Sequence, residues 1–353
     1  MTNAIIFRQT DLPIFQNKVY ADRDSALQAT CGDVELTQCP SSGLVHNRCF
    51  DSTLLVYDSN YQNEQAYSPA FKHHLNEVIE IAYKHFNKRQ QGVEIGCGKG
   101  YFFEMLLDSG MQVTGYDPAY EGSNPNIVKQ YFDASKQDVS PDYIVLRHVL
   151  EHITNPWDFL QTLSSQCGPK TKIYIEVPCF DWIINNNAFY DVFYEHVNYF
   201  TLEVLQNAFS SIAESGRLFG GQYIYIFADL SSFKLPRTYL GKIYQATAMD
   251  TYLFHVLAKR RSNCKYCFVW GAGAKGLTFS NILIRYGATV DAIIDINPAK
   301  QDKFSGKAGL PIRSANSVFE QFDGSDIFVM NPQYLNEIRT TLNNFDVNLI
   351  SVV

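Results

Sequence analysis

The stretch Val93-Glu94-Ile95-Gly96-Cys97-Gly98-Lys99-Gly100 places three glycines between a short β-branched strand and a helix. At such a junction the backbone turns sharply and comes close to a ligand, and glycine permits both. The helix that follows offers unpaired backbone amides at its N-terminus. We therefore expect a small ligand to bind against this turn, in contact with Gly96, Cys97, Gly98 and Gly100.

Two carboxylates near the turn indicate the kind of ligand. Asp117, followed by Pro118, ends the next strand 21 residues after Gly96, where an acid accepts hydrogen bonds from ribose hydroxyls. Glu94 precedes the turn, where it would repel a phosphate but suit a cationic ligand. S-adenosylmethionine combines a ribose with a positively charged sulfonium, so the sequence predicts it as the cofactor.

The pattern around this turn predicts the fold class. Short β-branched strands alternate with helices from about residue 71 to 230, which is typical of a parallel sheet with helices on both faces, and the same pattern restarts after residue 262. We predict an α/β protein with two doubly wound Rossmann-like domains. The expected division is a small loop-rich N-terminal subdomain (1–70), a cofactor-binding domain (71–235), a connecting helix (236–261) and a C-terminal Rossmann-like domain (262–353).

Composition excludes several classes of function. Of the 353 residues, 46% are hydrophobic and 18% charged, as in folded domains. The net charge is -7 and the sequence has no long run of Lys or Arg, so we expect no nucleic-acid partner. No apolar stretch predicts a membrane span or a signal peptide, and the eight scattered cysteines suit reduced thiols. A cytoplasmic protein acting on a small molecule is the expectation.

A second glycine turn leaves an alternative open. Residues 271–276 read Gly-Ala-Gly-Ala-Lys-Gly after a predicted strand, and Asp295 follows Gly276 by 19 residues. This arrangement matches the dinucleotide-binding fingerprint. A protein that binds NAD through this half of the chain is therefore an alternative hypothesis.

A loop after the fifth predicted strand concentrates polar groups among aromatic residues. It runs Phe193-Tyr194-Glu195-His196-Val197-Asn198-Tyr199-Phe200-Thr201. Functional side chains commonly lie on loops held by a rigid sheet. Glu195 and His196 are thus candidate catalytic residues; the alternative is that they only pair with each other or cap the helix that follows Thr201.

The first glycine turn resembles the first motif of class I methyltransferases, Glu-x-Gly-x-Gly-x-Gly with an acid closing the second strand. This resemblance implies that Asp133 contacts adenine, although it is equally well explained as a surface turn acid. It also relates the segment from Arg147 to His152 to a stretch that carries a Glu-His pair in many members, and we include Arg147 among the cofactor-binding residues.

The polar loop resembles that of the sugar C-methyltransferases that act on nucleotide-linked 4-keto-deoxysugars. In that family the last histidine is the base, which corresponds to His196 here, preceded by Glu195. The family often has Tyr-His-Glu-His, whereas here Tyr194 comes one place later. The resemblance extends upstream to Tyr61 and through most of the C-terminal domain, and it implies a nucleotide-sugar substrate that this domain helps to hold.

The implied chemistry is base-assisted methylation of carbon. A keto group acidifies the neighbouring carbon, His196 removes the proton, and the enolate attacks the sulfonium methyl group. His152 and Tyr61 are candidates for holding the enolate oxygen, and Tyr194 is a further catalytic candidate. An O- or N-methyltransferase that uses His196 to deprotonate a hydroxyl or amine remains an alternative.

No metal site is predicted. The resembling family usually opens with a zinc-binding subdomain of paired cysteines, but here Cys39 is followed by Ser42 where the second cysteine would stand. Cys31, Cys49 and His46 lack paired spacing, so a lost zinc site is the expectation. The pair formed by Cys264 and Cys267 opens a predicted buried strand and is interpreted as part of the core.

Overall fold

The structure, a computed structural model, describes residues 4–55, 61–62, 64–137, 140–246 and 249–353. In these residues no helix combines the length and the apolar character that crossing a membrane requires. The N-terminal region contains β1 (Ile5–Pro13), β2 (Val19–Tyr20), α1 (Arg23–Leu27), β3 (Cys31–Gln38) and β4 (Val45–Asn47). The central region contains α2 (Pro69–His85), β5 (Gln91–Ile95), α3 (Tyr101–Asp108), β6 (Gln112–Tyr116), β7 (Ile127–Val128), β8 (Tyr143–Arg147), α4 (Pro156–Gln166), β9 (Lys172–Pro178), α5 (Phe180–Asn185), β10 (Asn198–Tyr199), α6 (Leu202–Asn207), β11 (Ile212–Leu218) and β12 (Tyr223–Asp229). The C-terminal region contains α7 (Met249–Leu257), β13 (Cys267–Trp270), α8 (Ala274–Arg285), β14 (Ala292–Ile294), β15 (Phe304–Ser305), β16 (Ile312–Arg313), β17 (Ser325–Val329), α9 (Leu335–Thr341) and β18 (Val347–Ser351).

The central sheet has the order β11-β12-β9-β8-β5-β6-β7. The five strands from β9 to β7 are parallel, as predicted, whereas β12 and β11 run antiparallel at one edge. Strand β8 is apolar on both faces, since Ile144 and Leu146 are buried on one face and Tyr143 and Val145 on the other. Such runs are typical of strands covered by helices on both sides. The predicted doubly wound α/β domain is confirmed, with an antiparallel edge added.

The C-terminal sheet has the order β16-β14-β13-β17-β18 and is parallel throughout. Its turn between β13 and α8 depends on Gly276, because a Cβ there would lie 1.8 Å from the Gly271 carbonyl oxygen. Gly271 itself has φ +99°, a conformation that favours glycine. The second Rossmann-like domain is therefore also confirmed, and Gly276 allows the close approach of α8 to the turn.

The N-terminal region differs from the loop-rich subdomain predicted. It forms an antiparallel sheet in the order β1-β3-β4-β10, whose last strand belongs to the polar loop of the central domain. Asn198 pairs with His46 and Tyr199 with Val45. The polar loop is thereby held by the N-terminal sheet, a pairing between distant segments that the local sequence pattern did not indicate.

The predicted connecting helix is wrong in extent. Only Met249–Leu257 is helical, while residues 236–246 are not, and residues 247 and 248 lie outside the described part of the chain. The prediction rested on the helical spacing of Leu240, Ile243, Tyr244 and Leu257, but Leu240 and Ile243 are largely exposed. Tyr244 is buried outside a helix and donates a hydrogen bond to Asp181 Oδ1 over 2.6 Å, so tertiary packing overrides the helical pattern.

Candidate active site

One cavity of about 350 Å³ lies where the carboxyl ends of both parallel sheets meet. The central domain lines it with the first glycine turn after β5 and with the segment after β8. The C-terminal domain lines it with the second glycine turn, and the polar loop supplies Phe193, Glu195 and His196. Ligands of open α/β sheets bind at this edge of the strands. Both predicted glycine turns and the polar loop therefore open onto a shared site.

The first glycine turn has the backbone that a close ligand requires. Gly96, Gly98 and Gly100 have φ of +75°, +56° and +86°. A Cβ on Gly96 would also lie 2.5 Å from Val149 Cγ2, so a side chain is excluded there by both strain and space. The Gly98 amide donates to Asp117 Oδ2 over 2.8 Å, which fixes the acid at the end of β6 against the turn.

Glu94 gives the strongest indication of which ligand the first glycine turn binds. Its side chain is buried and lines the cavity, and its Oε2 has no hydrogen-bond partner among the described residues. Burial raises the pKa of Glu94 to about 7, with Arg147 opposing the rise and Asp117 adding to it. A buried carboxylate without a donor calls for a cationic or hydrogen-bond-donating ligand. The ammonium and sulfonium groups of S-adenosylmethionine fit this requirement, and the glycine turn fits its nucleoside.

Arg147 is engaged by the protein itself. Its Nη2 donates to Glu176 Oε1 over 2.9 Å, and its guanidinium lies 4.3 Å from the centre of the Phe102 ring. His74 Nε2 and Tyr174 Oη also bond to the Glu176 carboxylate, at 3.2 and 2.8 Å. Burial alone would raise the pKa of Glu176, but Arg147, His74 and His148 hold it well below its usual range. Arg147 lines the cavity, and its main contact is this buried ion cluster.

His148 extends the ion cluster to the cavity wall. Its Nδ1 lies 3.2 Å from Glu151 Oε1 and its Nε2 lies 3.1 Å from Glu176 Oε1. Burial opposes protonation, but hydrogen bonding to Glu151 and Glu176 raises the pKa of His148 to about 9. The imidazole is thus a cation near neutral pH, held at φ +53° after β8. Sequence reasoning did not select His148, although it lies in the quoted segment between Arg147 and His152.

His196 and His152 meet in the cavity. Their ring centroids are 4.8 Å apart, and His152 Nδ1 lies 2.9 Å from the Glu195 carbonyl oxygen, which can only accept. His196 is 8% exposed, and its ring lies 4.1 Å from that of Phe193. Burial, reinforced by the neighbouring cations His148 and Lys275, holds the pKa of His196 well below its usual value. His196 is therefore neutral and has a lone pair for a proton, although burial makes it a weaker base than an exposed imidazole.

Glu195 and Tyr61 also line the cavity, and each is tied to the N-terminal region. The Gln16 amide donates to Glu195 Oε2 over 2.8 Å in a buried contact. Tyr61 forms a β-bridge with Lys18 and an edge contact with Phe15. The N-terminal region thus completes one wall of the cavity.

Several predicted site residues lie outside the described lining of the cavity. They are Tyr194, Gly100, Asp117, Pro118 and Asp133. The Tyr194 hydroxyl accepts from the Asp51 amide over 2.8 Å and its ring stacks on Phe50, so this side chain packs on the N-terminal region rather than reaching the reacting groups. Asp133 accepts from Ser135 and pairs with Lys136, an arrangement that matches a surface turn acid.

Lys275, in the second glycine turn, links the C-terminal domain to the polar loop. Its Nζ lies 2.9 Å from Asp191 Oδ2 and donates to Gln222 Oε1 over 2.7 Å. Asp191 is buried, and Lys275 lies 5.1 Å from the centre of the Trp182 ring. The glycine motif that contains Lys275 is visible in the sequence. Its contact with Asp191 joins residues that are far apart in the chain, so no local pattern predicts it.

Comparison with known proteins identifies the class and then the family. Residues 66–212 match the family of methyltransferase domains, which is the class that the central sheet and the glycine turn define. Residues 231–348 match the C-methyltransferase C-terminal domain. These two matches, together with the curated relative described next, support an S-adenosylmethionine-dependent methyltransferase of the C-methyltransferase family.

A curated relative is the C-methyltransferase NovU of Streptomyces niveus, 24% identical over 196 residues. The match covers 50% of this chain and 46% of NovU, so it spans less than half of that protein's length. Among solved structures, a methyltransferase from Archaeoglobus fulgidus is 21% identical with a TM-score of 0.34, covering 46% of this chain and 95% of its own. The Synechocystis magnesium protoporphyrin IX methyltransferase, solved with S-adenosylhomocysteine, is 17% identical with a TM-score of 0.34, covering 45% and 82%.

Proposed function

We propose that this protein transfers a methyl group from S-adenosylmethionine to a carbon next to a keto group, in a nucleotide-linked deoxysugar or a related small molecule in the cytoplasm. The observation that carries the proposal is a neutral, buried histidine, His196, in the same cavity as the first glycine turn. The C-terminal family match and the likeness to NovU support carbon as the acceptor atom.

S-adenosylmethionine, when bound, supplies a methyl group on a positively charged sulfur. Glu94, Gly96, Cys97 and Gly98 line the part of the cavity where we place it. Asp117 is assigned to the ribose; both of its oxygens accept backbone bonds, yet a carboxylate has about four acceptor positions, so capacity remains. We place the acceptor between His196 and the second glycine turn.

Proton removal is assigned to His196, which takes a proton from the substrate carbon while the electrons move onto the keto oxygen. The low basicity of His196 is compensated if that oxygen is stabilised as the charge develops. His152 and Tyr61 line the same cavity and are assigned to hold it, and the cationic His148 adds favourable electrostatics. Glu195 positions the loop through its bond with Gln16 rather than acting as the base.

The test is His196→Ala, because a positioned general base contributes about 10²–10⁴-fold in rate. We expect turnover to fall by about that factor while S-adenosylmethionine affinity, measured by calorimetry, changes by less than about twofold. His73→Ala, at an exposed position of α2, is the matched control and should change neither quantity. Wild-type turnover by folded His196→Ala would contradict the assignment.

Ligand titration distinguishes the proposed methyltransferase from an NAD-binding protein. The fingerprint at the second glycine turn allows NAD, whereas the proposal requires S-adenosylmethionine at the first turn. We expect the wild-type chain to bind S-adenosylmethionine and Gly96→Val to lose that binding. Binding of NAD without binding of S-adenosylmethionine would replace the proposed function by a dinucleotide-binding one.

A further inference from the structure

Three side chains in the cavity form a group with the composition of a metal site. Glu151, His152 and His196 each place one nitrogen or carboxylate oxygen within 4.8 Å of the others'. Glu151 is 1% exposed and His196 is 8% exposed. Two imidazoles and one carboxylate are a common donor set for zinc and related divalent metals, whereas Mg²⁺ and Ca²⁺ prefer oxygen ligands alone.

The Glu151 carboxylate has the capacity to bind a cation. Its Oε1 lies 3.2 Å from His148 Nδ1, while Oε2 is buried without a hydrogen-bond partner among the described residues. Leaving a buried carboxylate oxygen without a donor is unfavourable. This second, independent observation indicates that Glu151 Oε2 lacks a hydrogen-bond donor or positively charged partner among the described residues.

His152 is oriented as metal-binding histidines usually are. Its Nδ1 donates to the Glu195 carbonyl oxygen over 2.9 Å, so Nε2 of the neutral ring carries the lone pair available to a metal, whereas Nε2 of the protonated ring carries the N–H that would hold the keto oxygen. Ligating histidines characteristically donate their other ring N–H to a carboxylate or a backbone carbonyl. The required tautomer of His152 is thus fixed by the loop that also carries His196.

The spacing of the group is wider than that of a bound ion, but within reach of it. Zinc lies about 2.0–2.2 Å from nitrogen and oxygen ligands in a tetrahedral arrangement, so two ligand atoms of one ion lie about 3.3–3.6 Å apart. The three atoms lie within 4.8 Å of one another, so metal binding requires the side chains to rotate inward and close this difference. The three residues line a cavity, which leaves the remaining coordination positions open to water or substrate.

We propose that Glu151, His152 and His196 bind one divalent transition metal ion of the zinc class, and that its binding inhibits methyl transfer. A histidine whose lone pair is on a metal does not accept a proton, so the metal competes with the role of His196 as base. The inhibition rests on the proposed function, whereas the binding does not. The proposal also departs from the metal-free expectation, which was based on the cysteines and on His46 of the N-terminal region.

The binding test is titration of the chelator-treated full-length protein with Co²⁺, followed by visible absorption, and with Zn²⁺, followed by calorimetry. We expect one ion per chain and a spectrum without thiolate-to-cobalt bands. Glu151→Gln and His152→Gln should each weaken Zn²⁺ affinity at least tenfold, with circular dichroism confirming that they fold. Cys39→Ser is the matched control and should leave binding unchanged.

Three results would overturn metal binding in the cavity: no ion bound at micromolar concentrations, binding that survives both cavity substitutions, or binding lost in Cys39→Ser. For inhibition, labelled methyl transfer to nucleotide-linked keto sugars should fall in proportion to Zn²⁺ occupancy and recover with chelator. Activity that is lost on chelation and restored by Zn²⁺ would overturn inhibition. Metal binding with no methyl transfer under any condition would leave the metal site intact and refute the proposed function.

Discussion

Replacing Glu94 by glutamine tests whether the orphaned carboxylate receives the cationic part of S-adenosylmethionine. The substitution keeps the shape of the side chain but removes its charge. A hydrogen bond to a charged group contributes about 1.5–3 kcal/mol, so we expect the dissociation constant of S-adenosylmethionine to rise by roughly 10- to 150-fold at pH 8.

The pKa of Glu94 makes this effect depend on pH. With a pKa of about 7, the free wild-type carboxyl is roughly 90% ionised at pH 8 and roughly 10% at pH 6. Because the ionised form binds the cation, wild-type affinity should rise by up to about ninefold from pH 6 to 8, with proton release on binding. Glu94→Gln should lack this dependence, and Glu80→Gln, an exposed carboxylate on α2, should retain it.

Stability of the cofactor-free protein should respond in the opposite sense. The folded-state pKa of Glu94 is raised from 4.5 to about 7, so its contribution to stability is present below pH 4.5 and is lost as the pH rises through 7. As the pH rises from 4.5 to 7, wild type should therefore lose thermal stability relative to Glu94→Gln.

Calorimetry that shows equal, pH-independent S-adenosylmethionine affinities for wild type and Glu94→Gln would refute the assignment of Glu94.

The other predictions concern the turns and the domain contact. Asp117→Ala should weaken S-adenosylmethionine binding by about 1.5–3 kcal/mol in calorimetry, and unchanged affinity would remove the acid from the ribose site. Gly276→Ala should destabilise the fold by about 1–3 kcal/mol or more in denaturant titration, because its Cβ would overlap the Gly271 carbonyl; an unchanged midpoint would contradict the observed turn. Lys275→Met should cost about 3–5 kcal/mol of stability, since it leaves the buried Asp191 unpaired, whereas Lys275→Arg should restore part of it.

Local sequence patterns were sufficient to predict the parts of the fold that are formed by residues close together in the chain. The strand, turn and helix around Gly96 are encoded by glycines that need positive φ, and the buried strands by continuous apolar runs. The same holds for the second glycine turn. These features depend on short-range geometry, which residue type and spacing describe well.

Features that depend on distant pairing were not predictable in this way. The pairing of β10 with β4 draws Tyr194 toward Asp51, although the loop pattern suggested a catalytic tyrosine. The helical spacing of Leu240, Ile243 and Tyr244 predicted a connecting helix, but these residues are not helical and only Tyr244 is buried. Glu151 follows β8, whereas His196 lies in the polar loop. They meet because both segments lie at the carboxyl edge of the central sheet, which the local sequence does not indicate.

The most direct test of the proposed function is to follow an isotopically labelled methyl group from S-adenosylmethionine into nucleotide-linked 4-keto-deoxysugars in deuterated water. We predict that the label is found on a carbon next to the keto group, that wild type exchanges the proton of that carbon with solvent, and that His196→Ala does neither at more than about one hundredth of the wild-type rate. Label on a hydroxyl or amine of the product, or no transfer by protein that binds S-adenosylmethionine, would contradict carbon methylation by this chain.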